Sequence, residues 1–94
     1  MRCTVTSPVS RDSFDKLASI RLVTTSGGRE ILPGHIAMLA ELQPGSLVEL
    51  LGDAQESPPI HIMISSTGFL QFSDDTAMLL ADTYRIVPEG EELQ

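Results

Sequence analysis

Ile60-His61-Ile62-Met63-Ile64-Ser65 places isoleucine at every second position. Successive side chains of an extended strand point to opposite faces, so Ile60, Ile62 and Ile64 share one face and His61, Met63 and Ser65 the other. One face suits a core and the other a more polar surrounding, which defines a half-buried strand. Downstream, Gly68 breaks the run, and Phe69 to Phe72 and Thr76 to Ala81 read as two strands. The short polar side chains of Ser73-Asp74-Asp75 between them suit a hairpin turn. Upstream, Leu47 to Leu51 reads as a strand ended by Gly52-Asp53 and a polar loop through Glu56 to Pro59. Ala18, Ile20 and Leu22 alternate with Ser19 and Arg21, and Val23, Thr24 and Thr25 extend that segment with β-branched residues. Gly27-Gly28 punctuates it, and Pro33-Gly34 does the same after Ile31-Leu32.

One segment argues the other way. Ile36-Ala-Met-Leu-Ala-Glu-Leu-Gln43 is rich in helix formers. Pro33-Gly34 and Pro44-Gly45 fence it to about two helical turns, and isolated helices below about 12 to 15 residues are marginal. Alternation works here too, with Ile36, Met38, Ala40 and Leu42 on one side, so a strand is expected. Many short strands with turn signals and no internal repeat predict an all-β fold, a sandwich or a barrel.

The chain has 94 residues, which makes one domain with a thin margin of burial. Six basic against thirteen acidic side chains give a net charge of −7, which argues against nucleic acid or an anionic lipid surface as partner. Residues 1–35 carry five basic and three acidic side chains, +2; residues 36–94 carry only Arg85 against ten acidic ones, −9. Cys3 is the only cysteine, so no intramolecular disulfide forms, and its place beside Val5 on one strand face marks a buried structural thiol. The longest uncharged run, Ser57 to Ser73, is broken by Pro58, Pro59, His61 and Gly68 and is no membrane span.

Reactive signatures are missing from the sequence. Lys16, the only lysine, has no glycine-rich run before it, so it belongs to no phosphate-cradling loop. His35 and His61 stand alone, without the spacing that holds zinc, so neither a metal nor a cofactor is expected. Ser65-Ser66 lacks a nucleophile elbow, and Asp74-Asp75 and Glu91-Glu92 sit where solvation governs a carboxylate. Catalysis thus has no local signature, and an enzyme of this size would need its site at an oligomer interface.

Ile31-Leu32-Pro33-Gly34-His35, continuing through Leu39 to Leu42-Gln43-Pro44-Gly45, resembles the signature of the N-terminal domain of the ATP synthase epsilon subunit. Gly68-Phe69 and Met78-Leu79-Leu80-Ala81-Asp82-Thr83 are similar to the same domain in the same order. The resemblance covers about Thr4 to Tyr84. It implies a two-layer β-sandwich of about ten short strands over residues 1–84, followed by an acidic, flexible tail over residues 85–94. It further implies a non-catalytic rotor subunit of a rotary F-type ATP synthase, translocating protons or sodium ions, with the gamma subunit and the membrane rotor ring as partners. The location implied is peripheral, on the cytoplasmic face of the bacterial inner membrane or the equivalent organelle face.

By the same resemblance Gly28, Arg29, Glu30 and His35 face the rotor ring. Relatives often place an acidic residue two or more positions earlier in that loop, so either Glu30 takes its part or Arg29 pairs with a ring carboxylate. Met38 and Leu42, with Ser7 at the edge, are expected to face gamma. Many relatives continue into a helical hairpin that inhibits hydrolysis or binds ATP. Here ten residues follow Tyr84, interrupted by Pro88 and Gly90, so no hairpin and no bound nucleotide are expected within the chain. The competing expectation is a free-standing β-sandwich adaptor for another soluble protein.

Overall fold

A computed structural model describes residues 1–54 and 57–88. Its ten strands are β1 Arg2–Thr6, β2 Arg11–Phe14, β3 Leu17–Thr24, β4 Gly27–Ile31, β5 Met38–Leu42, β6 Ser46–Gly52, β7 Ile60–Ile64, β8 Gly68–Ser73, β9 Thr76–Ala81 and β10 Tyr84–Val87. The disputed segment is a strand, as its alternation predicted, and tertiary pairing overrides its helix propensity.

The strands form one hydrogen-bonded path, β10-β7-β6-β3-β5-β8-β9-β1-β2, with β4 added to β3. The path is thinnest between β3 and β5, where the register has the single pair Thr24 and Leu42. That corner divides the strands into two five-stranded layers, β10-β7-β6-β3-β4 and β5-β8-β9-β1-β2. Their inner faces enclose a core that includes Val5, Ile20, Ile31, Leu42, Val48, Leu50, Ile62, Ile64, Leu70, Phe72 and Leu79.

Both Pro-Gly pairs are type II turns. His35 N–H donates to Leu32 O at 3.1 Å and Ser46 N–H to Gln43 O at 3.1 Å. Gly34 and Gly45 occupy the third position with φ of 85° and 83°, a conformation that demands glycine, after the proline that presets the second. Asp74 and Asp75, with φ of 50° and 59°, make the two-residue turn of the β8–β9 hairpin. The turns and loops sort to two ends. Thr24 pairs Leu42, Leu42 pairs Gly68, Gly68 pairs Ala81 and Leu80 pairs Thr6, which gathers the β1–β2, β3–β4, β5–β6, β7–β8 and β9–β10 connections at one end. The opposite end is tied by Lys16 O to Asp53 N–H, by Asp75 Oδ1 to Gly34 N–H and by Asp75 O to Arg2 N–H.

Three expectations need correction. Leu17 pairs Gly52 but Ser19 pairs Leu51, so one extra residue, Ala18, sits in a bulge. The bulge resets the phase, and Leu17, not Ala18, joins Ile20 and Leu22 in the core. Ile36 is 79% exposed in the loop before β5, because its carbonyl is held by His35 Nδ1 at 2.7 Å and pairing with Phe72 begins only at Met38. Residues 85–87, expected in the tail, pair with β7 through Arg85–Met63, Ile86–Ile62 and Val87–His61. The rest of that tail, residues 89–94, lies outside the described residues.

The two ends of the strand path, β10 and β2, meet across the layers. Tyr84 Oη donates to Asp12 Oδ2 at 2.7 Å, and Val5 O lies 3.4 Å away. Loss of water around the phenol, and then the Asp12 carboxylate, hold Tyr84 above its ordinary pKa. Tyr84→Phe is expected to lower unfolding free energy by about 1 to 2 kcal/mol, read by urea denaturation. A fully unchanged midpoint would show that the layers close without this bond.

Burial pushes the Cys3 thiol from 9.0 up to about 12. The unfolded thiol therefore loses its proton first as pH rises, so this stabilisation is intact below pH 9 and is lost toward pH 12. The loss is about 1.4 kcal/mol per pH unit within that window. In a pH series of unfolding curves, the stability advantage of the wild type over Cys3→Ala is expected to shrink across the window; parallel curves would refute the linkage.

Candidate docking surface

What one face of a strand buries, the next residue turns to solvent. Burial of Leu70 and Phe72 on β8 sends Phe69 and Gln71 outward; burial of Ala77, Leu79 and Ala81 on β9 sends out Met78 and Leu80. Burial of Leu42 on β5 sends out Leu39 and Glu41. Register then aligns the outward set. Leu39 stands opposite Gln71 and Gln71 opposite Met78; Glu41 stands opposite Phe69 and Phe69 opposite Leu80. Leu39, at 77% exposure, thus shares one sheet face with Phe69, Met78 and Leu80, each between about a third and a half exposed. Phe69, Met78 and Leu80 adjoin one another, with Gln71 between Leu39 and Met78 and Glu41 beside Phe69; adjoining apolar side chains that face water mark a candidate interaction surface.

Grooves flank this face at both ends. One of about 360 Å³ runs between Ser7, Pro8, Phe69, Leu80 and Asp82. The other, of about 470 Å³, lies between Ala37, Met38, Leu39, Gln71 and Phe72.

The residues expected to face gamma fare unequally. Leu42 is fully buried, pairs with both Thr24 and Gly68, and presents no surface. Met38 is half-buried and packs against the core, while Ser7 borders the first groove. The alternation assigned to β5 was right; it makes Met38, Ala40 and Leu42 the inward set and leaves Leu39 to the surface.

The residues expected to face the ring do not converge. Gly28 and Arg29 flank the tip of the β3–β4 hairpin, where the Arg29 guanidinium donates to Ser26 Oγ at 3.4 Å. Glu30 lies further along the strand and is paired with Arg21, Nε to Oε2 at 2.8 Å. His35 belongs to the opposite end, its ring edge against Phe72 at a centroid distance of 6.0 Å. Its Nδ1 on Ile36 O and its backbone turn shape the loop that leads to β5.

A charged row crosses the outer face of the other layer. Glu30 on β4, Arg21 on β3, Glu49 on β6 and His61 on β7 are register neighbours. Arg21 Nη1 reaches Glu49 Oε1 at 3.4 Å and His61 Nε2 lies 3.1 Å from Glu49 Oε2. The hydrogen bond and charge of Glu30, then of Glu49, raise the Arg21 pKa. Sequence reasoning placed His61 on the outward face but missed the row; the outward phases of β3, β6 and β7 carry that signal once their register is known. Beside it a groove of about 520 Å³ is lined by Arg21, Val23, Gly28, Arg29, Glu30 and Glu49. Solvent screens such exposed pairs, so they add little to stability. Among the described residues no group of three or more His, Cys, Asp or Glu is placed to hold a metal ion.

The fold is a two-layer β-sandwich with an apolar patch on one outer sheet face, a candidate docking surface. A profile of the family described as ATP synthase, Delta/Epsilon chain, beta-sandwich domain, matches residues 1–86. The chain belongs to that family. No curated protein matches it significantly along the sequence. Among solved structures, a chain of the Tetrahymena thermophila mitochondrial ATP synthase central stalk and c-ring superposes with a TM-score of 0.71 at 18% identity, over 90% of this chain and 65% of that one. A chain of the Euglena gracilis mitochondrial ATP synthase assembly of OSCP, F1 and c-ring gives 0.73 at 20% identity, over 89% of this chain and 51% of that one. At these identities the likeness is one of fold, and the chain spans about two thirds and about half of the two neighbours' lengths.

Leu42→Ala is expected to cost about 2 to 5 kcal/mol of stability. Leu39→Ser, on the same strand, is expected to cost less than about 0.5 kcal/mol. Urea denaturation of both variants checks the division between core and surface; equal losses would contradict it.

Proposed function

We propose that the chain acts as a non-catalytic central-stalk subunit of a rotary F-type ATP synthase and couples the gamma subunit to the membrane rotor ring. The observation that carries this reading is the apolar outer face of β5, β8 and β9 on a sandwich that belongs to the delta/epsilon family. A shaft that turns with a ring needs a coupling block that does not yield. A close-packed core resists compression and transmits strain, which suits the task.

Gamma covers Leu39, Phe69, Met78 and Leu80, and the flanking grooves receive its side chains. An apolar centre with a polar rim is how stable interfaces are built, and such an interface buries more than about 1,000 Å² in total. The ring contact is assigned to the tip of the β3–β4 hairpin. Glu30 is engaged by Arg21, which leaves Arg29 as the charge at the tip for a ring carboxylate. His35 is assigned to shaping the loop before β5 and not to the ring. The coupling ion is a proton or sodium. The protein is placed peripherally on the cytoplasmic face of a bacterial inner membrane, or the equivalent organelle face. Among the described residues no helix is long and apolar enough to cross a membrane.

Purified chain and its cognate gamma are expected to form a stoichiometric complex that survives high salt. Phe69→Asp with Leu80→Asp is expected to abolish it while the melting temperature stays within a few degrees. If the wild type ignores gamma, the chain is an adaptor for some other protein. No saturable binding of ATP to the isolated chain is expected in a calorimetric titration.

A further inference from the structure

The outer face of β5, β8 and β9 continues onto β1 and β2, and register carries its rows across all five strands of the layer. Leu80 stands opposite Thr6 and Thr6 opposite Arg11, so one row reads Glu41, Phe69, Leu80, Thr6, Arg11. The row beside it reads Leu39, Gln71, Met78, Thr4, Ser13. The first row thus has an apolar middle, a carboxylate at the β5 edge and a guanidinium at the β2 edge. Four strand spacings of about 4.8 Å set the two charges about 19 Å apart.

Arg2, Arg21 and the amino terminus each have a carboxylate partner. The exposed side chains of Glu41 and Arg11 take part in no ion pair or side-chain hydrogen bond among the described residues. Nor do they hold each other, since about 19 Å is more than twice the Debye length of about 8 Å at 0.15 M salt.

A row with opposite charges at its two ends is complementary to itself reversed. A half-turn about an axis that lies in the interface and runs along β9, the middle strand of the layer, lays the row of one copy on the reversed row of another. Glu41 then meets Arg11 of the second copy at both ends, Leu80 and Met78 meet their own counterparts, and Phe69 lies against Thr6. Packed sheets cross at about 30°, which displaces the ends of a row of this length by about 5 Å, a distance that arginine and glutamate side chains span. Two-fold contacts of this kind are the commonest form of self-association.

We propose that, when no stalk partner covers it, this face pairs with a second copy of the chain as a two-fold dimer in which Glu41 of each copy bonds Arg11 of the other across a centre of Leu80, Met78 and Phe69. The inference shares the face with the reading given above and does not depend on gamma. Burial supplies the attraction, and the two ion pairs fix the orientation. The two occupants exclude each other, so the dimer is the form of the chain outside the stalk.

Sedimentation equilibrium of the purified chain tests this, with melting curves as the folding control. At about 0.15 M salt the long-range repulsion between two copies is screened while close contacts persist. The wild type is expected to pass reversibly from monomer to dimer as concentration rises from micromolar to millimolar. Glu41→Arg and Arg11→Glu, each alone, set like charges together twice by symmetry and are each expected to weaken the dimer about tenfold or more. An equimolar mixture of the two variants is expected to recover it to within about threefold of the wild type, because each supplies the charge that the other lacks. Phe69→Asp with Leu80→Asp is expected to leave only monomer. A wild type that stays monomeric overturns the proposal, as does a dimer that survives loss of the apolar pair or that neither charge reversal weakens. A mixture no tighter than its components overturns it as well, because the two charges then do not meet.

Discussion

The fold depends on how closely two layers approach at Gly68. A Cβ there would lie 3.2 Å from Ile64 Cγ2, 3.2 Å from Leu80 O and 3.6 Å from Leu42 Cβ. These neighbours come from β7 in one layer, from β9 in the other, and from β5 at the corner between them. A side chain there would push these neighbours back by a few tenths of an ångström, so glycine lets all three close on one point at the start of β8. The register follows from it: Gly68 against Leu42 on one side and Ala81 on the other sets which residues of β5, β8 and β9 face inward. A one-residue slip would turn Phe69 and Leu80 into the core and Leu70 and Leu79 out.

Function on this sandwich is thus a by-product of core geometry. The outward residues of β5, β8 and β9 have no freedom of position apart from the inward ones, because both are fixed by one alternation. The docking face is correspondingly rigid, held from below by Leu42, Leu70, Phe72 and Leu79. The contrast with the other layer is chemical. Its outer face carries Glu30, Arg21, Glu49 and His61 in one row of polar contacts.

Much of this was legible in the residues. Isoleucine at alternate positions from Ile60 defined a strand and its buried face, and the two Pro-Gly pairs located turns whose type only the backbone reveals. The bulge at Ala18 was not legible, because a bulge is decided by the partner strand, and nothing in the sequence of β3 marks which residue β6 will skip. Leu42 was misplaced for a related reason. Alternation put Ile36, Met38, Ala40 and Leu42 on one side without saying which side is buried, and the assignment of Met38 and Leu42 to gamma followed a family likeness and not their phase.

Charge gives the clearest case of sequence order misleading about space. The basic first third and acidic remainder of the chain suggest two poles. Topology interleaves them instead: β3 lies between β4 and β6, so Arg21 meets Glu30 from its own segment and Glu49 from the acidic one. Arg2 is taken up by Asp15 at 2.6 Å, and the amino terminus lies 3.7 Å from Asp75. Of the five basic side chains of residues 1–35, Arg2 and Arg21 are thus held in surface ion pairs. Long-range attraction between opposite poles is therefore a weak basis for assembly of this domain, and the apolar face, whose attraction does not fade with salt, is the stronger one. In the proposed stalk role, a grip made by burial would hold across a wide range of ionic strength.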